Sequence, residues 1–402
     1  MEKIGVGYAY VSDIEKKYVN EALDASRLSQ GKMVHRFEKQ FAELHEQKYG
    51  IACNSGTSAL HVGIEALKEK HGFPFGAESE ILVPAITFIA TSNACIHAGV
   101  KPVFVDVDSK TYNMDPSKIE EKITEKTVGI IPVHTFGQPC EMDAIMEIAN
   151  RRGLWVMEDC AEAHFATYKG QKIGSFGEIA AFSTYVAHTI TTGIGGVITT
   201  NDRQMMEISR SLIAHGRACT CEQCLASDPR KVCPLRMQTE MDKRFMMVRM
   251  GYSYRVGELE GAIGLGQLEN RDIIMGTRKK NAKYLTEHLQ AARKYLQLPE
   301  SPDYVDHSFM MYPLVVKKEA PFTREDLTHY LEKQNIETRP MLPLLNQPIY
   351  RELFGDIEKD YPVAEWIDHN GFYVGCHHGL AKAQLDKIVD VVQDFVVKYN
   401  KG

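Results

Sequence analysis

The chain alternates between helical and strand-like patterns of apolar residues. Apolar residues recur at helical spacing over 11–29 and 33–44. Short apolar runs bounded by polar residues predict strands at 49–53, 80–83, 100–106, 129–133, 155–158, 179–182 and 197–200. Further helices are predicted at 59–67, 142–151 and 202–214. Strands that alternate with helices in this way indicate an α/β fold, with a mainly parallel sheet between helices.

The last third of the chain has its own pattern of elements. The predicted elements there are a long linking helix at 272–298, a strand at 310–316, and helices at 323–334 and 382–398. We therefore predict a large domain of residues 1–270 and a smaller α+β C-terminal domain of residues 271–402. A polar, cysteine-bearing insertion at 215–244 interrupts the large domain.

Charge and composition narrow the classes of function. The 47 Lys and Arg residues against 53 Asp and Glu give a net charge of −6, which argues against general affinity for nucleic acid or for anionic membranes. No apolar run reaches membrane-spanning length, and the N-terminus carries no hydrophobic signal segment. We therefore expect a cytoplasmic globular protein.

One turn has the pattern of a phosphate site. The strand at 49–53 runs into Asn-Ser-Gly-Thr-Ser at 54–58, and an apolar helix follows. Free amide groups at a helix N-terminus, together with the helix dipole, favour an anion. The alternative is a Ser or Thr N-cap that binds no ligand.

Three more residues are candidates for a ring-shaped cofactor, each with an ordinary alternative. Asp159 ends an apolar strand and could pair with a cationic ring nitrogen, or simply occupy a turn. Phe88 could stack on the ring or pack in the core. Ser183 could donate to a phosphate or be an ordinary strand serine.

These residues belong to a longer series of motifs. The series comprises 54–60 (Asn-Ser-Gly-Thr-Ser-Ala-Leu), Thr87-Phe88, 102–107 (Pro-Val-Phe-Val-Asp-Val), Glu158-Asp159 with Ala163-His164, Phe182-Ser183, 190–193 (Ile-Thr-Thr-Gly) with Gly195-Gly196, and 251–255 (Gly-Tyr-Ser-Tyr-Arg). In order and spacing it resembles the DegT/DnrJ/EryC1/StrS sugar aminotransferases, over nearly the whole chain. Members of that family are pyridoxal 5'-phosphate (PLP) proteins of fold type I, the aspartate-aminotransferase-like fold.

The resemblance implies specific roles. The implied cofactor contacts are Gly56, Thr57 and Ser183 to the phosphate, Phe88 to the ring face and Asp159 to the ring nitrogen. It also implies a nucleotide-sugar substrate and a homodimer with the active site at the subunit interface. There the partner reaches the phosphate from the position of Ser253.

Three positions depart from the family pattern. Residue 188 is His where the family has its cofactor-bonding Lys, residue 162 is Glu where Gln is usual near the ring hydroxyl, and residue 253 is Ser where Asn is usual. A lysine amine bonds covalently to the cofactor aldehyde, whereas an imidazole forms no stable bond of that kind. His188 can still act as a base near neutral pH.

This histidine resembles the 3-dehydratase branch, which acts on nucleotide-linked 4-keto-6-deoxyhexoses with pyridoxamine 5'-phosphate (PMP). The segment at 370–378 (Asn-Gly-Phe-Tyr-Val-Gly-Cys-His-His) also resembles that branch. We therefore predict C3 dehydration with His188 as the base. The alternatives are a sugar aminotransferase whose lysine was lost or replaced by engineering, and a non-catalytic, metal-binding redox scaffold.

The insertion carries a possible metal site. The candidate ligands are Cys219, Cys221, Cys224 and Cys233. Their spacing suits zinc or an iron–sulfur cluster and does not separate the two. By resemblance to an iron–sulfur 3-dehydrase we favour a [2Fe–2S] cluster, with Cys160 as an alternative fourth ligand. Such a cluster requires a separate reductase, because the chain has no Gly-x-Gly-x-x-Gly fingerprint; without a cluster, glutamate would restore the cofactor amine.

Overall fold

A computed structural model describes residues 3–72, 78–221, 232–233 and 241–400. Its helices are α1 (Asp13–Asp24), α2 (Lys32–Leu44), α3 (Gly56–His71), α4 (Ala90–His97), α5 (Met142–Arg152), α6 (Arg203–Leu212), α7 (Glu258–Glu269), α8 (Arg271–His288), α9 (Arg324–Lys333), α10 (Pro348–Phe354), α11 (Pro362–Asn370) and α12 (Lys382–Asn400). Its strands are β1 (Tyr49–Cys53), β2 (Glu80–Pro84), β3 (Lys101–Val105), β4 (Thr127–Ile130), β5 (Trp155–Asp159), β6 (Thr167–Tyr168), β7 (Gln171–Lys172), β8 (Ile179–Ser183), β9 (Gly196–Thr200), β10 (Leu296–Gln297), β11 (Val305–Asp306), β12 (Tyr312–Val316), β13 (Arg339–Pro340) and β14 (Gly371–Val374).

A seven-stranded sheet forms the centre of the large domain, in the order β1-β9-β8-β5-β4-β2-β3. Strand β9 runs antiparallel to both of its neighbours, and all the other pairs are parallel. The prediction of a mainly parallel α/β sheet is therefore confirmed. Carboxyl ends of parallel strands meet at one edge, so Asp159 of β5 and Ser183 of β8 come close together.

Helices cover both faces of this sheet. On one face, apolar side chains of α3 and α6 pack against the strands, among them Ile64 and Met205. On the other face, Phe37 of α2 and Leu265 of α7 pack against Phe182 of β8. Strands β2, β5, β8 and β9 are buried along their whole length, because a sheet covered on both faces has no solvent side.

The C-terminal part has a second core around the sheet β10-β12-β14-β13. Leu314 and Phe372 of this sheet pack against Leu327 of α9 and Ile388 of α12. Ile4, near the start of the chain, is buried in the same core. The division at residues 270 and 271 stays a prediction, because Ile274 and Met275 pack in a core of the large domain and Ile4 packs in the second core.

The predicted helix at 272–298 is wrong in its last part. Helix α8 ends at His288, a 3₁₀ turn follows, and β10 pairs with the end of β12. Leu296 and Leu298 are fully buried in the second core. Strand pairing and burial outweigh the helical pattern that the sequence carries there. No described helix is long and apolar enough to cross a lipid bilayer.

Glu158 of β5 fixes the turn at 174–177, which leads into β8. Its two carboxylate oxygens accept the backbone N–H groups of Gly174 (2.7 Å), Phe176 (2.7 Å) and Gly177 (2.8 Å). Its Oε2 also lies 3.2 Å from Nε2 of His134, whose Nδ1 accepts a backbone N–H, so that Nε2 carries the proton. All four N–H groups therefore need an oxygen acceptor at the Glu158 side chain.

We expect Glu158→Gln to lower the free energy of unfolding by about 2 kcal/mol, since its amide group would face buried donors. The matched control is Glu178→Gln, whose side chain bonds Lys70 and His71 at the surface, and which we expect to change stability by less than about 0.5 kcal/mol. Urea denaturation of both variants measures the difference. Equal stability of the two would contradict this role for Glu158.

Candidate active site

A cavity of about 380 Å³ lies at the carboxyl edge of the large sheet. The predicted residues that line it are Gly56, Thr57, Phe88, Asp159, Glu162, Ser183 and His188. They come from four separate segments of the chain, which the crossover connections bring to one edge. Met310, Met311 and Tyr373, from the C-terminal part of the chain, also line the cavity.

The first turn of α3 forms one end of the cavity and suits a phosphate. Ser55 caps the helix: its Oγ accepts the N–H of Ser58 (3.0 Å) and its carbonyl accepts the N–H of Ala59 (3.0 Å). Helix geometry then leaves the amides of Gly56 and Thr57 without an intrahelical acceptor. A Cβ on Gly56 would lie 2.7 Å from Cβ of Ser183, so only glycine leaves this cradle open. A phosphate fits here by charge and by space.

Asp159 is 3% exposed and held in a fixed orientation. Thr91 Oγ donates to Oδ2 (2.8 Å), and the N–H of Ala161 donates to Oδ1 (3.1 Å). Burial raises the pKa of this carboxyl, and the Thr91 hydrogen bond offsets the rise in part. A cationic ring nitrogen would favour the ionised form, so the residue fits the partner of a protonated pyridine ring.

Phe88 is 60% exposed and lies on the cavity wall. The alternative that it packs in the core is therefore excluded. An exposed phenyl ring beside Asp159 suits stacking on a flat ligand.

The loop between β8 and β9 presents His188 to the cavity. Backbone bonds close this loop at its base: Thr184 N–H to the Gly195 carbonyl (2.9 Å) and Val186 N–H to the Gly193 carbonyl (3.0 Å). Gly193 adopts φ of 86°, a left-handed conformation that favours glycine. Nδ1 of His188 lies 3.1 Å from the Met310 sulfur. A thioether has no proton to give, so Nδ1 is the donor and Nε2 keeps its lone pair.

Arg278 of α8 controls the surroundings of His188. It is 1% exposed, and its Nη1 donates to the carbonyl of Met310 (2.7 Å). Burial, and secondly the charge of Arg278, lower the pKa of His188 to about 4. His188 is therefore a neutral base at physiological pH.

Our reading of the sequence missed Arg278, although the pattern carried a signal. Ile274, Met275, Ala282 and Leu285 form the buried stripe of α8, and position 278 falls in that stripe. An arginine in the apolar stripe of a helix indicates a function or a buried partner.

Glu162 lies beside Asp159 and is 6% exposed. Its Oε2 accepts the N–H of Phe136 at 2.6 Å. Burial raises the pKa of Glu162 to about 7; the Phe136 N–H bond offsets part of this rise, and the charge of Asp159 adds a smaller increase.

Ser253 does not line this cavity. It is exposed and belongs to a second cavity of about 520 Å³, together with Cys219 and Cys221. Five arginines line that second cavity: Arg27, Arg210, Arg217, Arg244 and Arg255. A contribution of Ser253 to the first cavity would have to come from a second protomer, as the resemblance implies, and stays a prediction.

The metal site also stays a prediction. Cys219, Cys221 and Cys233 do not gather into a set of three ligand atoms within the part of the chain that the structure describes. Cys224 lies outside the described residues. Cys160 is fully buried, with its sulfur within 4.8 Å of ligand atoms of His134 and Glu158. Burial raises the pKa of the Cys160 thiol well above its ordinary value, which favours the protonated form.

Comparisons with known proteins identify the family of this chain. A model of the DegT/DnrJ/EryC1/StrS aminotransferase family matches residues 10–393. GDP-perosamine synthase of Caulobacter vibrioides is 34% identical over 399 residues, which cover 99% of each chain. GDP-4-keto-6-deoxy-D-mannose 3-dehydratase of Yersinia pseudotuberculosis is 28% identical, over 98% of this chain and 100% of that protein.

A solved structure of a relative contains bound PLP. Escherichia coli GDP-4-keto-6-deoxy-D-mannose-3-dehydratase with bound hydrated PLP matches with a TM-score of 0.83 at 28% identity, over 98% of this chain and 100% of that one. The aspartate-aminotransferase-like fold is thereby confirmed, as is the resemblance drawn from the motifs. The chain therefore belongs to the DegT/DnrJ/EryC1/StrS aminotransferase family and is a PLP-dependent sugar-modifying enzyme.

Proposed function

We propose that this enzyme removes the C3 hydroxyl of a nucleotide-linked 4-keto-6-deoxyhexose, with PMP or PLP as cofactor and His188 as the base. The observation that carries the proposal is the histidine in the cofactor cavity, at the place of the family's lysine. A GDP-linked sugar is the first substrate to test, because the relatives described above carry GDP sugars in their names.

The residues present fit the cofactor. The amides of Gly56 and Thr57, with Ser183, would hold the phosphate, Asp159 would pair with the ring nitrogen, and Phe88 would cover the ring. When bound, PMP supplies an amine that can join the sugar ketone and a ring that accepts electrons.

His188 takes the proton that must leave before the C3–O bond breaks. Its Nε2 is the free nitrogen, because Nδ1 donates to the Met310 sulfur. Its pKa of about 4 keeps the ring neutral at physiological pH, and the loop bonds at Thr184 and Val186 hold it in place. A neutral imidazole leaves the cofactor free, whereas a lysine would be bonded to it.

Sugar amine transfer is the second candidate. It is favoured by the 34% identity to GDP-perosamine synthase, since the name of that relative describes formation of an amino sugar. The same cavity would serve both reactions, and residue 188 distinguishes them.

The assay that tests the proposal combines the purified enzyme, PMP, glutamate and GDP-4-keto-6-deoxymannose. We expect a C3-deoxygenated product by mass spectrometry and no amino sugar. His188→Lys should reverse this outcome, with an absorbance band of covalently bound PLP and an amino sugar as the product. An amino sugar from the unmodified enzyme would overturn the proposal in favour of amine transfer.

The phosphate cradle predicts a binding defect for Gly56→Ala. The added Cβ would lie 2.7 Å from Ser183 Cβ, so α3 or Ser183 must shift away from the ligand. We expect PLP to bind at least about tenfold more weakly, a loss of about 1.4 kcal/mol. Absorbance titration measures the affinity. Gly276→Ala is the control, because a Cβ there meets nothing within 4 Å; equal affinity of both variants would refute the cradle.

The effect of Arg278 on His188 predicts a shift in the pH profile. In the wild type, kcat/KM should rise with pH through about 4, as His188 loses its proton. Arg278→Met removes the charge, so we expect the pH at which kcat/KM rises to increase toward 6.5, the ordinary pKa of histidine. The increase should be partial, because burial is the larger cause of the lowered pKa. Arg278→Lys keeps the charge, so kcat/KM should still rise at the wild-type pH. If the pH of the rise were unchanged in Arg278→Met, Arg278 would not be lowering the pKa of His188.

A further inference from the structure

The loop that carries His188 is held by two kinds of hydrogen bond. Bonds within the loop close its base, at Thr184 and Val186, and the N–H of His188 itself donates to the Tyr185 carbonyl at 2.9 Å. The segment just after His188 bonds instead to side chains from other parts of the chain. Its position therefore depends on residues outside the loop, none of which lines the cofactor cavity.

We propose that His164 is a positioning residue, which holds His188 at the reacting carbon through the backbone of Ile190. His164 follows β5, and its ring does not line the cofactor cavity. This inference rests on the proposed dehydration. It adds to that function the side chain that fixes the position of the base.

One hydrogen bond joins His164 to the loop. Its Nδ1 accepts the N–H of Ile190 at 3.2 Å, across 26 positions of the chain. His164 is fully buried, and burial lowers its pKa well below the ordinary value, so the ring is neutral. A neutral ring whose Nδ1 accepts must carry its proton on Nε2. Toward the loop, His164 therefore acts as a hydrogen-bond acceptor.

The surroundings of His164 would suit an apolar side chain. The ring packs among three phenylalanine side chains, at centroid distances of 5.7–6.2 Å: Phe41, Phe165 and Phe182. Among the described residues no acceptor meets Nε2 with hydrogen-bond geometry, although the Ser183 carbonyl lies near the ring. A buried N–H without a good acceptor costs free energy, so the ring gains little from this side. The bond to Ile190 is the interaction that a histidine adds here.

The covalent link from this bond to the base is short. Only Thr189 separates Ile190 from His188, and Thr189 and Ile190 are both buried. Two residues span at most about 7 Å, so a shift of Ile190 moves His188 with it. The next amide is held in the same manner, since Thr191 N–H donates to Oε1 of Gln267 in α7 at 3.4 Å. The bond to His164 is the shorter of the two and lies nearer to the base.

The test compares two substitutions of His164 that have the same shape. In His164→Asn the side-chain oxygen can take the place of Nδ1 and accept the Ile190 N–H, whereas His164→Leu has a methyl group there. Both lose the same ring packing, so the difference between them isolates the hydrogen bond. We expect kcat to fall about 10²-fold in His164→Leu, with KM little changed, because a displacement of about 1 Å has that effect. His164→Asn should be at least about tenfold more active than His164→Leu.

His45→Leu is the control for lost packing alone. His45 lies in the same buried cluster, but its ring bonds the Phe41 carbonyl (2.8 Å) and the N–H of Phe165, and not the loop. We expect lower stability and an unchanged kcat, counted per folded, PLP-binding protomer. Equal kcat in the two His164 variants, or as large a loss in His45→Leu, would overturn the inference. If His164→Leu did not fold, a kcat of His164→Asn more than about tenfold below the wild type would overturn it.

Failure of the proposed dehydration would look different. A wild type that gives no C3-deoxygenated product would refute that reaction, whatever the variants do. Hydrogen exchange of the cofactor-free proteins, measured by mass spectrometry, then still decides whether His164 holds the loop. The amides of residues 188–192 should exchange faster in His164→Leu than in the wild type and in His164→Asn. Equal exchange in all three proteins would overturn the inference.

Discussion

Desolvation at the carboxyl edge of the sheet is the constraint on which the site depends. Asp159, Glu162 and His188 are removed from water, and burial is the largest cause of each pKa shift, always toward the neutral form. A group that is to be charged there must find its counter-charge in a ligand. Asp159 therefore suits a cationic ligand, while His188 remains neutral at physiological pH and Glu162 ionises less readily than an ordinary glutamate.

At the same edge, the neighbouring residues Glu158 and Asp159 have different functions: one stabilises the fold and the other lines the cavity. Glu158 and Asp159 are consecutive on β5, so their side chains point in opposite directions. Glu158 accepts hydrogen bonds from backbone N–H groups of the 174–177 turn, whereas Asp159 faces the cavity. The structural carboxylate is fully bonded within the protein, and the cavity carboxylate is left with capacity for a ligand.

Much of this arrangement could be predicted from the sequence, because local patterns encode it. Apolar runs predicted the seven strands of the large sheet. The phosphate turn before α3 and the position of Asp159 in the site were predicted because each comes at the end of a strand. Contacts between distant segments were beyond such reasoning. The bond from Phe136 N–H to Glu162 and the bond from Arg278 to the Met310 carbonyl join residues 26 and 32 positions apart, so they are defined only once the chain has folded. The helix predicted to reach residue 298 failed for the same reason, since β12 is what draws residues 296–297 into a strand.

Arg278 disfavours a charge on the residue at position 188. Within the described residues no carboxylate forms an ion pair with this buried cation, which bonds the Met310 carbonyl and the Cys376 side chain. Burial, and secondly the charge of Arg278, lower the pKa values of His377 and His378. A buried cation without a carboxylate partner disfavours any second positive charge nearby. The field of Arg278 would lower the pKa of a lysine at this position as well, so it does not by itself separate the two candidate reactions. What separates them is the covalent chemistry of the side chain, because an imidazole forms no stable bond to the cofactor aldehyde and is left free to take a proton.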